Sequence, residues 1–455
     1  MIGGDVLISE MRMKHTHSSS STLLYYKIDQ SGRNHYNFKN QNPNESDNKK
    51  SFFHILNMLI NFNIATDPFR IGHIFQCGYL MNAIILLILS VITEFSFFIL
   101  IQSWIYGRAY TYNEIWRELF GAKSYSWIVL VVVIINYIAF IIWSQNELYL
   151  YVAKTIDLLW PESPSILTNK WFLTYVLSAV FIIPTLFVKK LSNFSVMSMI
   201  SNICLIIAFA CLIVYFFHHQ SNNHISFKET VEATGLKPFR SKVIEVFHAI
   251  RTLNLAIFCH PILSVLVPDY DNPKRSRLMQ LTWISAITSL ILHYFGGFFS
   301  YLINPENKNN IFYEVEVFNE DRSKIVYPEV IVGQVAVYCL SVFSNILYVH
   351  FTSRKVAELI LPHGSVSTVS VFFCGLTVTL FASAMNFIGD DAYDIAAIIG
   401  GMMCMMLVYV FPSIYYYNQY RLSHKMFGIL TILLIVFGSA LSLAVLIIGI
   451  IEYVK

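Results

Sequence analysis

The sequence predicts an all-α integral membrane protein of about eleven transmembrane helices, a five-plus-five inverted repeat with broken helices 1 and 6 and one extra helix. Three observations carry that prediction. Hydrophobic residues make up 56% of the 455-residue chain and charged ones only 13%, whereas a soluble globular chain carries roughly twice that charged share. Apolar runs of about twenty residues, the length a helix needs to cross a hydrocarbon core, recur to the C-terminus. Lysine and arginine gather in alternate short loops, as the positive-inside rule requires of a polytopic chain.

Residues 1–50 are polar, rich in Ser, Asn and Lys, and hold no apolar run, so a disordered tail is expected there and a cleaved signal peptide is not. The transmembrane domain is expected over 51–455, and its first span has to act as the insertion signal. The spans fall near 52–74, 79–102, 126–151, 171–188, 194–217, 247–267, 278–303, 330–351, 366–387, 393–416 and 427–454. Repeat one then covers 52–217, repeat two 247–416, and the extra helix 427–454. An odd-numbered unit inserted twice takes opposite orientations, which is how inverted repeats arise.

With the N-terminus in the cytoplasm, every loop on that side is basic. They hold Arg108, Arg117 and Lys123, then Lys189 and Lys190, then Lys274, Arg275 and Arg277, then Arg354 and Lys355, then Arg421 and Lys425. The opposite loops are longer or balanced by acids such as Glu229, Glu232, Glu314, Glu320 and Asp390.

Composition also excludes. The formal charge of +3 is spread along loops without a basic stripe, which argues against a nucleic-acid partner and leaves the lipid bilayer and small solutes. Cys204, Cys211, Cys339, Cys374 and Cys404 lie in apolar runs, where a thiol behaves as a small hydrophobe, and no spacing reads as a metal site. Asp390, Asp391 and Asp394 spell Asp-Asp-x-x-Asp, a magnesium-diphosphate pattern, but only once; the reading preferred here is an acidic start to helix ten. No zinc-protease, serine-hydrolase or Walker pattern occurs, so catalytic residues, cofactors and an enzymatic role are not expected.

Two helices carry polar residues where oil is expected. The first includes Asn57, Asn61, Asn63, Thr66, Asp67, Pro68 and Arg70; the sixth includes Arg251, Thr252, Asn254, Cys259, His260 and Pro261. A charge at the bilayer centre costs at least ~2.5–3.5 kcal/mol on insertion scales, so several such groups in one helix point to a protein-lined cavity. Broken helices at the midplane free backbone groups to hold a solute. Glu147 and His350 lie near span ends and are expected at the interface, whereas Glu94 and His293 sit deeper.

At these residues the chain resembles the amino acid/auxin permease family, from about Phe52 to Val454. Asn57-Met58-Leu59-Ile60-Asn61 resembles the family's opening motif, and Thr111-Tyr112-Asn113-Glu114 with Phe120-Gly121 its second cytoplasmic loop. Ile183-Pro184-Thr185-Leu186 through Leu191-Ser192, with Ser195 and Ser198, resembles the hinge between helices four and five. Phe247 to Pro261, ending in Ala256 and His260-Pro261, resembles the sixth-helix signature; Arg354, Glu358, Gly400 and Phe411-Pro412 are weaker echoes. The chain departs where the family's Gly-x-Gly falls on Ile64 and Thr66, where Arg251 replaces glycine, and where helix eight lacks a proline.

The resemblance implies an eleven-helix secondary transporter that moves amino acids or related solutes by alternating access, coupled to H+ or Na+. The alternative is a nutrient sensor on the same fold. It places the solute near Asn57, Asn61, Ile64, Ala65, Thr66, Asp67 and Pro68 of helix one and Arg251, Thr252, Leu255, Ala256, Cys259 and His260 of helix six. Arg251 is expected to pair internally with Asp67, because an unpaired guanidinium in a membrane is the costlier state. Ser341, Ser344 and Asn345 are the candidates for a sodium site, and Glu94 and His260 for protons. A plasma membrane and a vacuolar or lysosomal membrane both fit.

Overall fold

A computed structural model describes residues 50–455, apart from 66, 108, 122–124, 189, 241, 257, 272, 307–309, 316, 319–324, 362–365, 389, 421–424 and 455. The tail expected over 1–50 therefore lies, but for Lys50, outside the described residues. Lys50 itself is tied to the end of the sixth span, its N–H donating to Asp269 O at 2.8 Å and its carbonyl accepting from Asp271 N at 3.1 Å.

The first span starts as α1 (Phe52–Ile64) and continues, after Ala65, only as 3-10 segments over Asp67–Phe69 and Ile71–Cys77. Gly78, at φ 106°, ends it where an L side chain is disfavoured. Then come α2 (Tyr79–Gly107), the short α3 (Tyr112–Phe120) and α4 (Ser126–Leu159). The expected loop at Thr111–Glu114 is in fact the start of α3, and the Glu114 carboxylate accepts from the Thr111 N–H at 3.1 Å. α5 (Lys170–Leu177) is capped by Asn169 and passes through a π turn, Ser178–Ile182, into a 3-10 turn, Ile183–Phe187. Pro184 lacks the N–H that an α-helix needs there.

Repeat one ends with α6 (Ser195–Asn222). The connection that follows contains α7 (Phe227–Ala233), started by the reciprocal Ser226–Glu229 capping box. The sixth span is divided into α8 (Val243–Ala256) and α9 (His260–Leu266). α10 (Arg275–Ile303), the single turn α11 (Ile311–Glu314), α12 (Pro328–Ile360) and α13 (Thr368–Ile388) follow. α14 (Asp390–Met405) and α15 (Phe411–Tyr420) form one span with a π turn ahead of Pro412, and α16 (Lys425–Val454) closes the chain.

Among the described residues nine segments are long and apolar enough to cross a membrane. The two remaining spans are the broken ones, whose pieces are individually too short, which makes eleven. Packing respects the exchange of one repeat for the other. α6 lies on α12 as α14 lies on α4, α1 on α10 as α8 on α2, and α1 on α6 as α8 on α14. α2 with α10 and α4 with α12 pair each helix with its own counterpart.

Glycines allow the closest approaches that hold the broken span. A Cβ on Gly296 of α10 would lie 2.8 Å from Pro68, and one on Gly72 would lie 3.1 Å from Ser300. Elsewhere, a Cβ on Gly400 of α14 would meet Ala139 of α4 at 2.7 Å. Small residues bring helices together in lipid, where association depends on packing rather than on the hydrophobic effect.

Candidate functional site

α1 stops because its last residues cannot continue it. Ala65 adopts φ 41° and ψ −129°, a region where Cβ crowds the backbone and glycine is the usual occupant. Holding an alanine there costs on the order of 1–3 kcal/mol, and such strain collects at functional positions. Thr66 lies outside the described residues. Beyond it, Asp67, Pro68, Phe69 and Arg70 are all buried.

Around this point α4 and α12 present matching faces. On α12, Ser341, Ser344, Asn345 and Tyr348 follow one another at helical i, i+3, i+4, i+7 spacing. Ser344 Oγ donates to Asn61 Oδ1 at 2.8 Å, and Asn345 Nδ2 donates to Ser144 Oγ of α4 at 2.7 Å. The Tyr348 hydroxyl reaches Phe62 O at 3.4 Å. Ala65 and Asp67, with Phe140, Trp143, Ser144 and Glu147 of α4 and Ser341, Ser344 and Tyr348 of α12, enclose a cavity of about 20 Å³. That is space for about one water molecule.

Arg70 and Glu147 form a buried ion pair at the edge of this cavity, and the Arg70 guanidinium also lies over the Trp143 ring, 4.1 Å from its centroid. Asp67 is within electrostatic range of both charges. The expected Asp67–Arg251 pair is thus replaced by another arrangement: Arg70 is the cation beside Asp67, and Arg251, half-buried on α8, lies near His73. Arg70 supplies the countercharge from the same turn of chain as Asp67, which no residue of α8 has to reach.

The second break has a different character. Cys259, at φ −141°, precedes α9, and Pro261 occupies its first turn, where a missing N–H costs nothing. Phe258 stacks on Phe140 with centroids 6.1 Å apart, and the His260 ring lies flat on Phe97 at 3.6 Å. Asn254 accepts from the Tyr409 hydroxyl. Close by, Glu94 of α2 accepts from Thr282 Oγ1 at 2.9 Å, while its other carboxylate oxygen is buried with no partner among the described residues. One turn along α10, Ser285 accepts from Asn63 Nδ2 at 3.4 Å, so α10 carries polar contacts from Glu94 back to α1.

The structure therefore divides the sequence candidates. Ala65, Asp67, Ser341 and Ser344 line the cavity, and Asn61 and Asn345 are hydrogen-bonded to residues that do. Ile64 and Pro68 are buried behind it, Pro68 against Gly296. Asn57 sits about two turns earlier, binding α1 to α6 through two hydrogen bonds from Asn202, both 3.0 Å. Thr252 is half-buried on α8, and the side chains of Leu255 and Ala256 lie outside the described residues, as do those of Asp390, Asp391 and Asp394. Cys259, His260 and Glu94 form the separate group at the second break.

Glu147 and His350, expected at a membrane interface, are instead buried inside the protein. Glu147 pairs with Arg70, and His350 Nε2 lies 2.7 Å from Val188 O. Reasoning from sequence missed Phe140, Trp143, Ser144, Glu147 and Tyr348 as cavity residues. The only signal was their spacing along α4 and α12, which any buried helical face shares.

Among solved structures, MhsT in complex with L-phenylalanine matches with a TM-score of 0.58 at 12% identity, covering 88% of this chain and 98% of MhsT. Mhp1, a nucleobase-cation-symport-1 family transporter caught in a closed conformation with bromovinylhydantoin bound, matches with a TM-score of 0.58 at 12% identity over 91% and 94%. A manganese transporter of Eremococcus coleocola matches with a TM-score of 0.51 at 12% identity over 86% and 85%. These likenesses establish a shared inverted-repeat fold. The family model described as transmembrane amino acid transporter protein matches residues 46–452, and the chain belongs to that family.

Proposed function

We propose that the protein is a secondary active transporter that carries an amino acid or a related small solute across a membrane by alternating access. The observation that carries this reading is the cavity at the break in α1. It sets Asp67, Glu147 and three serines among apolar and aromatic walls between α1, α4 and α12, and in this conformation has room for little more than a water molecule. A solute enters only when the broken spans move relative to α4 and α12, which is what alternating access requires.

Of the two coupling ions, H+ is favoured over Na+. Glu94 keeps one buried carboxylate oxygen without a partner among the described residues. A lone carboxylate remote from water is most stable protonated, and a group that gains and loses a proton as access alternates is a coupling site. The basic loops support a cytoplasmic N-terminus.

The test is uptake of a labelled amino acid mixture into proteoliposomes under an inward proton gradient and then a sodium gradient. Accumulation above the passive level under the proton gradient is expected. Folded protein that binds solute yet produces no flux would turn the reading to a transporter-like nutrient sensor.

A further inference from the structure

Resting on the transport reading, we infer that the cavity at the first break recognises a solute through an ammonium group held by Asp67, so that amines and cationic amino acids are preferred to neutral zwitterions.

The charges around the cavity are unbalanced. Asp67 and Glu147 supply two carboxylates and both line it, while Arg70 supplies one guanidinium. That guanidinium is committed to Glu147 and to the face of Trp143. The Asp67 carboxylate accepts no hydrogen bond from any described residue, although the residue is only 8% exposed. With all three groups ionised, the site carries one negative charge, which a cationic guest neutralises in place of a proton. A buried carboxylate without a partner is costly, and its complement is a positively charged hydrogen-bond donor.

The remaining walls suit the same guest. Phe140, Trp143 and Tyr348 place three aromatic rings on the cavity, and ring faces attract ammonium ions. Ser341 Oγ, buried to 2% exposure and without a partner among the described residues, lines it as well and offers an acceptor for a second N–H. A solute carboxylate finds less. No cationic side chain lines the cavity among the described residues.

The experiment uses the full chain. Binding and counterflow of labelled lysine, tyramine and alanine are measured, first on the unmodified protein and then on Asp67→Asn. Tyramine has no carboxylate and alanine has no net charge, so the panel separates the two ends of an amino acid. Lysine and tyramine are expected to bind and exchange, with alanine at least ~10-fold weaker. Asp67→Asn is expected to weaken tyramine by ~10- to 150-fold, the range for loss of a charged hydrogen bond. The selectivity of the unmodified chain decides the matter even if the variant fails to fold. Alanine bound and exchanged as well as tyramine overturns the ammonium site and leaves the transport reading intact. Tyramine bound without exchange upholds the site and overturns transport. Failure of all three to bind or exchange with folded protein overturns both.

Discussion

At the first break the chain sets a carboxylate, a guanidinium and a strained alanine between α4 and α12. At the second it sets Phe258, Cys259 and His260 among aromatic rings, with Phe97 and Phe140 stacked against them. The two sites are related by the repeat, since α1 meets α10 as α8 meets α2. Each interrupts a helix, so each releases backbone groups from intrahelical bonds. Their side chains then separate the tasks: the first break holds the charges that face a cavity, and the second is packed and lies near Glu94. Repeat symmetry thus constrains the backbone without constraining the chemistry.

Four experiments test that contrast. The largest effect is expected of Glu94→Gln. If the second break serves coupling, proton-driven accumulation falls to the passive level while counterflow of the same solute persists; equal loss of both makes Glu94 a structural group. Next, Arg70→Met leaves Glu147 as an uncompensated buried charge and should cost ~3–5 kcal/mol of stability, measured by denaturant unfolding in detergent. Adding Glu147→Leu to that variant should restore most of the loss, and no restoration would show that the pair is not what stabilises this edge.

Packing at the first break comes third. Gly296→Ala forces a Cβ to within 2.8 Å of Pro68 and should cost ~1–3 kcal/mol, whereas Gly428→Ala, inside α16 with nothing within 4 Å, should cost nothing and gain up to ~1 kcal/mol in the same unfolding assay. The smallest effect is expected from relieving strain. Ala65→Gly should raise stability by at most ~1 kcal/mol, because the positive φ then costs nothing and part of the gain is returned as chain entropy. Cys259→Gly, at an ordinary φ, should gain nothing. Equal responses at the two positions would mean that the first break stores no strain.

Much of this architecture was legible beforehand for specific reasons. Pro184, Pro261 and Pro412 each lack an N–H, and the structure departs from the α-helix at or just ahead of each. The polar run from Asn57 to Arg70 marked the first break, because lipid tolerates such groups only where protein surrounds them. Glu147 was misread because its position near a span end is where charges are commonplace. Its burial depends on Arg70, far away in sequence, and nothing local to either residue announces the other. Arg251 was misassigned for the converse reason: it had the right charge for Asp67 but belongs to another element, while Arg70 came with the same turn.

Hydrophobic length, basic loops and helix-breaking residues act within a span of chain, so they set the class, the number of spans and the two broken helices from local pattern alone. The cavity, the Arg70–Glu147 pair and the separation of Asp67 from Glu94 depend on which faces of α1, α4, α10 and α12 meet. In lipid those meetings are decided by close packing at glycines and by buried hydrogen bonds. Only the tertiary structure could decide them, because each is a contact between residues that no local pattern couples.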